Sequence, residues 1–277
     1  MRLIGIGDAV VDIYQDQHRM YPGGSVVNVA VMARRCGAEH AAWLGLIGDD
    51  AAGQHLQACL VEEGVDISRH RVVRGSTGAA YVTLDAQGDR CFTGTNHATR
   101  VQSLVALTLN QDDLTYLRQF DVVHSCVSLN TSLERELSKL HGQTLSFDFS
   151  SPEYWTSDNL ERICPLLGFA FFSGSDLSQA EIRTLVRRVH DLGVEVVGVT
   201  RAEAPAYFSY RGTVVEQPVY PATVVDTMGA GDSFIAAFLT HYLTEQTGLA
   251  PALAFAARYA AEVCGYHGAF GYGKQLD

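Results

Sequence analysis

Short apolar runs that stop at glycine alternate with helix-length amphipathic segments along most of this 277-residue chain. Residues 3–7 form such a run, closed by Gly7. Residues 26–36 carry small and apolar side chains at helical spacing up to Gly37; 41–47 are again strand-like, and 53–63 are helical up to Gly64. Parallel strands need a crossover of a dozen or more residues between them, and a helix supplies it. The alternation therefore predicts a single α/β domain over residues 1–277, with a mostly parallel sheet covered by helices.

One region breaks the rhythm. Residues 79–84 alternate with a period of two, Asp85-Ala-Gln-Gly-Asp89 has the composition of a turn, and Arg90-Cys-Phe-Thr93 resumes the alternation. This predicts a β-hairpin inserted into an otherwise parallel chain, a candidate lid or dimer-forming flap. From Phe120 onward strands are expected at 121–125, 144–149, 169–173 and 194–200, with helices at 132–141 and 178–192. Two further strands and a connector lead to Val224, and two helices close the chain.

Composition excludes several classes of function. Acidic residues outnumber basic ones 31 to 20, for a formal net charge of −11, which argues against a protein that tracks a nucleic-acid backbone. The longest apolar stretch, 163–172, is interrupted by Pro165, and the N-terminal run meets Asp8 too early for a secretory signal. A soluble cytoplasmic protein with no membrane partner is expected. The six cysteines are scattered without a C-x-x-C pair and read as free buried thiols. The ten histidines lack metal-ligand spacing. Only two lysines occur, Lys139 and Lys274, and neither belongs to a G-K-[ST] phosphate loop. Gly5-Ile-Gly7 has Val10 where a dinucleotide fingerprint needs its third glycine, and no G-x-S-x-G occurs.

The chemistry concentrates in Asp226-Thr-Met-Gly-Ala-Gly-Asp-Ser-Phe234. Phe234, Ile235, Phe238 and Leu239 recur at helical spacing, so a helix starts near Gly229. Its first turn is Gly-Ala-Gly-Asp. Small residues there leave backbone N–H groups open at the positive end of the helix dipole, an anion cradle. Asp232 places a carboxylate beside that cradle, able to accept a proton from an alcohol. A cradle for phosphate next to a base is what phosphoryl transfer to a hydroxyl requires.

These residues carry a resemblance. Asp226–Phe234 is similar to the C-terminal signature of the ribokinase-like (PfkB) carbohydrate kinases. Pro22-Gly-Gly-Ser-Val-Val-Asn-Val-Ala30 resembles their N-terminal glycine-glycine signature, and Trp43-Leu-Gly-Leu-Ile-Gly-Asp-Asp50 the strand that follows. The resemblance runs over nearly the whole chain. It implies a ribokinase-like three-layer sandwich with a small β lid from about 12–22 and 72–97, and a sugar kinase using ATP and Mg²⁺. By position it makes Asp232 the catalytic base and Gly229, Ala230 and Gly231 the anion hole. Asp226 would support the loop and a monovalent-cation site such as one for K⁺. Asp12, Gly23, Gly24 and Asn28 match sugar-binding positions, with Asp8 close to them. Arg90 would cover the substrate from the lid, Thr200 would lie on the nucleotide side, and His267 would line the adenine. A homodimer through the lid is a further expectation. Ile6–Tyr14, Phe147-Asp-Phe-Ser150 and Tyr266-His-Gly-Ala-Phe270 resemble a fructoselysine-kinase subgroup. That likeness implies phosphorylation of the 6-hydroxyl of a fructosamine; the alternatives are another sugar or nucleoside, or a catalytically weak binding relative.

The chain departs from the family pattern twice. Ser173-Gly-Ser-Asp176 stands where Asn-x-x-Glu helps to organise magnesium, leaving Asp176 to act through water. Thr200-Arg-Ala-Glu-Ala-Pro205 replaces Thr-Leu-Gly-x-x-Gly at the nucleotide site, so Ala202 and Pro205 stand where glycines are expected.

Overall fold

The computed structural model describes residues 1–85, 89–127, 132–245 and 248–276. In chain order the elements are β1 (Arg2–Ile6), β2 (Val10–Tyr14), β3 (Arg19–Gly23), α1 (Ser25–Arg35), β4 (His40–Leu44), β5 (Leu46–Gly48), α2 (Ala51–Glu62), β6 (Arg71–Val73), β7 (Gly78–Leu84) and β8 (Arg90–Thr95). Then come α3 (Val101–Leu104), α4 (Gln111–Leu117), β9 (Val122–Cys126), α5 (Ser132–Leu137), β10 (Leu145–Asp148), α6 (Ser157–Ile163), β11 (Phe169–Ser173) and α7 (Gln179–Asp191). The chain finishes with β12 (Val196–Arg201), β13 (Ala204–Tyr210), β14 (Thr213–Gln217), α8 (Ala230–Glu245), α9 (Leu249–Val263) and β15 (Lys274–Gln275).

Eight strands form the central sheet in the order β14-β13-β12-β11-β10-β9-β1-β4. From β4 to β12 every neighbour is parallel; β13 and β14 add an antiparallel edge. Both faces are covered, so successive strand residues enter opposite cores. Phe169 and Phe171 pack in one core with Phe238 of α8, while Ala170 and Phe172 belong to the other with Val189 of α7. The first core joins α1, α8 and α9, and the second joins α4 to α7.

The lid is a second, five-stranded sheet ordered β15-β3-β2-β7-β8. β7 and β8 pair antiparallel, as the two-residue period predicts. Ala86, Gln87 and Gly88 of the expected turn lie outside the described residues. The observed lid differs from the expected one in two respects. Val72 and Val73 belong to β6, which pairs with β5 in a separate two-stranded ladder, because the chain crosses from α2 before it reaches the lid. The lid also takes in β15, too short to show a period, which pairs with β3.

Several boundaries also differ. Gly45 splits 41–47 into β4 and β5, the expected helix at 132–141 ends at Leu137, and the strand expected from Val194 begins at Val196. All six cysteines are free; Cys59 and Cys164 are buried, whereas Cys91 is exposed on the outer lid strand. Among the described residues no helix is long and apolar enough to cross a membrane.

Candidate active site

In an open parallel sheet the carboxyl ends of the strands meet helix N-termini, and ligands bind there. Asp8 follows β1, Cys126 closes β9, Asp148 closes β10 and Ser173 closes β11, all at one edge. Above that edge stand the first turn of α8, the start of α1 and the lid strands.

The start of α8 is built from small residues. Gly229 takes φ +74°, a left-handed turn that glycine enters without strain, and delivers the chain into the helix. A side chain there would strike Ala269 at 2.5 Å. Gly231 differs: a Cβ built on it meets nothing within 4 Å. The Ala230 amide donates to the Thr227 carbonyl at 3.2 Å, and the Gly231 position beside it faces open space at the positive end of the helix.

Asp232 occupies the same turn. Asn28 Nδ2 of α1 donates to its Oδ2 at 2.7 Å. Burial raises the Asp232 pKa above the usual carboxylate range, and the Asn28 hydrogen bond and the Arg90 charge draw it partly back. Asn28 is 3% exposed, and its Oδ1 is buried without a protein partner, an acceptor left for a hydroxyl donor.

The residues expected on the sugar side come together beneath the lid. Asp12 of β2 is 3% exposed, and burial pushes its pKa up to about 7, with Arg90 opposing and Asp232 adding to the rise. Gly23 lies against it: a Cβ on Gly23 would meet Asp12 Oδ2 at 2.2 Å, so only glycine leaves room for that carboxylate. Gly24 caps α1 at φ +106°, next to the Asp8 carbonyl. Asp8 itself faces Arg100 at 3.5 Å.

The lid reaches down to the anion loop. Arg90 donates to the Thr227 carbonyl at 3.1 Å and its hydroxyl at 3.3 Å, and Thr227 Oγ1 donates to Asp89 Oδ1 at 2.6 Å. Thus Arg90, although exposed, stands over the site, two residues from Gly229 through Thr227.

On the other flank, the amide of Gly174 donates to the Thr200 carbonyl at 2.8 Å, and Asp176 lies exposed in the same turn. Ala202 adopts φ +49°, so the turn after β12 keeps a left-handed residue where the expected glycine is missing. Pro205 sits at the irregular register between β12 and β13, a place that spares a ladder donor. His267 stands at the lid root: its Nδ1 is 3.4 Å from Gln17 Nε2 and 4.0 Å from Asp226 Oδ2, and its ring packs against Tyr14 and Tyr21.

Four side chains escape a reading of the motifs. Asp148 is drawn up to about 7 by burial and by the Asp232 charge, while the Ser150 amide bonds its Oδ1 at 2.9 Å. Cys126 lies among Asp8, Asp148 and Asp232, its thiol pushed up chiefly by burial. Arg100, 6% exposed, balances Asp8. Tyr14 donates to Asp226 Oδ2 at 2.5 Å. Asp148 and Tyr14 fall within Phe147–Ser150 and Ile6–Tyr14, stretches quoted above with no role for either side chain; nothing local marks Cys126 or Arg100.

The match to known proteins fits this geometry. Residues 1–271 match the pfkB family carbohydrate kinases, and the chain belongs to that family: it is a carbohydrate kinase with the ribokinase-like α/β fold. It is 43% identical over 274 residues to a fructosamine kinase, FrlD, of Bacillus subtilis, covering 99% of this chain and 94% of the relative. A fructoselysine 6-kinase of Escherichia coli is 34% identical over 270 residues, covering 97% and 99%. A solved ribokinase of Arabidopsis thaliana, complexed with ribose and ATP, superposes with a TM-score of 0.81 at 22% identity, covering 98% of this chain and 95% of that one.

Proposed function

We propose that this carbohydrate kinase transfers the γ-phosphoryl group of ATP to the 6-hydroxyl of a fructosamine-type sugar, such as fructoselysine. The observation that carries this reading is the adjacency of Gly231 and Asp232: an open first-turn glycine and a carboxylate on consecutive residues. As the sugar oxygen attacks phosphorus, Asp232 accepts its proton and the amides of the 229–232 turn hold the charge that develops on the phosphoryl oxygens. Asn28 orients the base; its free Oδ1 and the Asp12 carboxylate accept from sugar hydroxyls. Arg90 covers the substrate from the lid and adds positive charge that the two lysines of the chain do not supply. Thr200 and the turn carrying Asp176 form the nucleotide side, where Mg²⁺ held through water on Asp176 would screen the phosphates.

The fructosamine preference is supported by charge. Asp12 and Asp148 each feel the charge of Asp232, and burial raises the pKa of all three carboxylates. A substrate with a protonated secondary amine lowers the cost of ionising them; a neutral sugar does not. The similarity to a fructosamine kinase and a fructoselysine kinase supports the same reading. The test is ADP release on a panel of fructoselysine, fructose, ribose, 2-keto-3-deoxygluconate and nucleosides. The fructosamine should give the highest kcat/KM, and a preference for any neutral sugar rejects the substrate assignment.

A further inference from the structure

Asp226 begins the anion loop and is completely buried. A buried carboxylate must be matched by a cation or by hydrogen-bond donors, or it destabilises the segment that carries it. A cation would need free lone pairs on Asp226 and would tie the 224–226 segment to the segment after α9. Three of the four lone-pair positions of Asp226 are already taken here, both on Oδ2 and one on Oδ1, and the two segments are tied without a cation. The Met228 amide donates to Oδ1 at 2.9 Å, and the Gly268 amide and the Tyr14 hydroxyl donate to Oδ2 at 2.8 and 2.5 Å. The two segments are joined directly, since the amides of Val225 and Asp226 both donate to the Cys264 carbonyl, at 2.8 and 3.2 Å. Three N–H and O–H hydrogens directed at one carboxylate repel an approaching cation. The residues present therefore do not fit a monovalent cation on Asp226.

Of the three donors two are backbone amides, Met228 in the loop and Gly268 in the segment after α9, and Tyr14 alone is a side chain. It is fully buried, packed edge-on against Tyr21 with ring centroids 4.9 Å apart. It also lies two residues from Asp12 on β2, so the strand that bears a sugar-side carboxylate clamps the phosphate loop. We propose that Tyr14 does at Asp226 the work of a bound monovalent cation, holding the 226–232 loop in its anion-binding form, so that phosphoryl transfer needs no K⁺ or Na⁺. Tyr14 is a positioning residue: it acts through Asp226 and touches neither substrate.

The proposal rests on the 226–232 loop being the phosphate holder, and two measurements separate it from that reading. The first is thermal unfolding of the wild-type protein in K⁺, Na⁺ and tetramethylammonium chloride at equal ionic strength, which involves no turnover. The midpoints should coincide, and a rise specific to K⁺ or Na⁺ overturns the proposal. The second is kinetic, on whichever sugar the panel selects. Wild-type kcat should agree within about twofold across the three salts, whereas a K⁺ activation of about tenfold or more refutes the substitution of Tyr14 for a cation. In Tyr14→Phe, loss of a hydrogen bond to a buried charge should lower kcat about tenfold or more while the sugar KM stays within about twofold. A variant with wild-type kcat shows that Tyr14 does not position the loop. Should Tyr14→Phe fail to fold, the two wild-type salt series still decide the cation question.

Discussion

Replacing Gly231 with alanine separates the anion-cradle reading from mere helix packing. A methyl group at this position meets nothing within 4 Å, and Gly231 does not hold a left-handed φ, so the folded state accepts it without strain. Alanine in place of glycine stabilises a helix interior by about 0.8–1 kcal/mol, and roughly half of that is expected in the first turn of α8. For a chain of this size that corresponds to a rise in Tm of about 1–2 °C. The same methyl fills the space beside the first-turn amides, where a phosphoryl oxygen would sit. Blocking one donor of such a hole costs on the order of 10²-fold in kcat/KM for ATP. Gly229→Ala is the control with the opposite balance. Its φ of +74° and a Cβ 2.5 Å from that of Ala269 predict a stability loss of about 2–4 kcal/mol. The assay pairs differential scanning fluorimetry with coupled ADP release over a range of ATP concentrations. A Gly231→Ala protein that keeps wild-type kcat/KM for ATP would refute the assignment of this turn to phosphate.

Two further outcomes follow from the carboxylates. Asp232→Asn removes the proton acceptor while keeping an Asn28 contact, so kcat should fall by roughly 10²–10⁴ with the unfolding midpoint nearly unchanged; wild-type turnover would exclude Asp232 as base. The Asp12 pKa rises in the folded state from 3.8 to about 7, so the folded protein holds this proton more tightly than the unfolded chain. Its contribution is complete below about pH 4 and is lost as pH climbs to about 7, about three pH units at 1.36 kcal/mol each, hence at most on the order of 4 kcal/mol. Asp12→Asn should therefore flatten the fall in ligand-free stability between pH 5 and 7.5, measured by urea unfolding; a variant with the same slope as wild type would show that Asp12 ionises freely.

The lid shows how far local pattern reaches. The antiparallel β7–β8 hairpin is visible because alternation every second residue survives in Ala79–Leu84, while β15 is invisible, two residues long and defined only by its pairing with β3. The departure at Thr200 behaves likewise. Loss of glycine suggests a changed turn, yet Ala202 enters the left-handed region because β12 and β13 close around it.

The order of strands and helices, and the small residues Gly229–Gly231 followed by the carboxylate of Asp232 in the first turn of a helix, are properties of the sequence by itself, since periodicity, helix dipoles and the absence of side chains act over a few residues. What the carboxylates do there was decided by tertiary structure alone. Asp12 and Asp148 both come within reach of the Asp232 charge, and Tyr14 meets Asp226 across 212 residues of chain. Desolvation and charge act through space, so the same aspartates spread along an extended chain would carry ordinary pKa values and no shared chemistry.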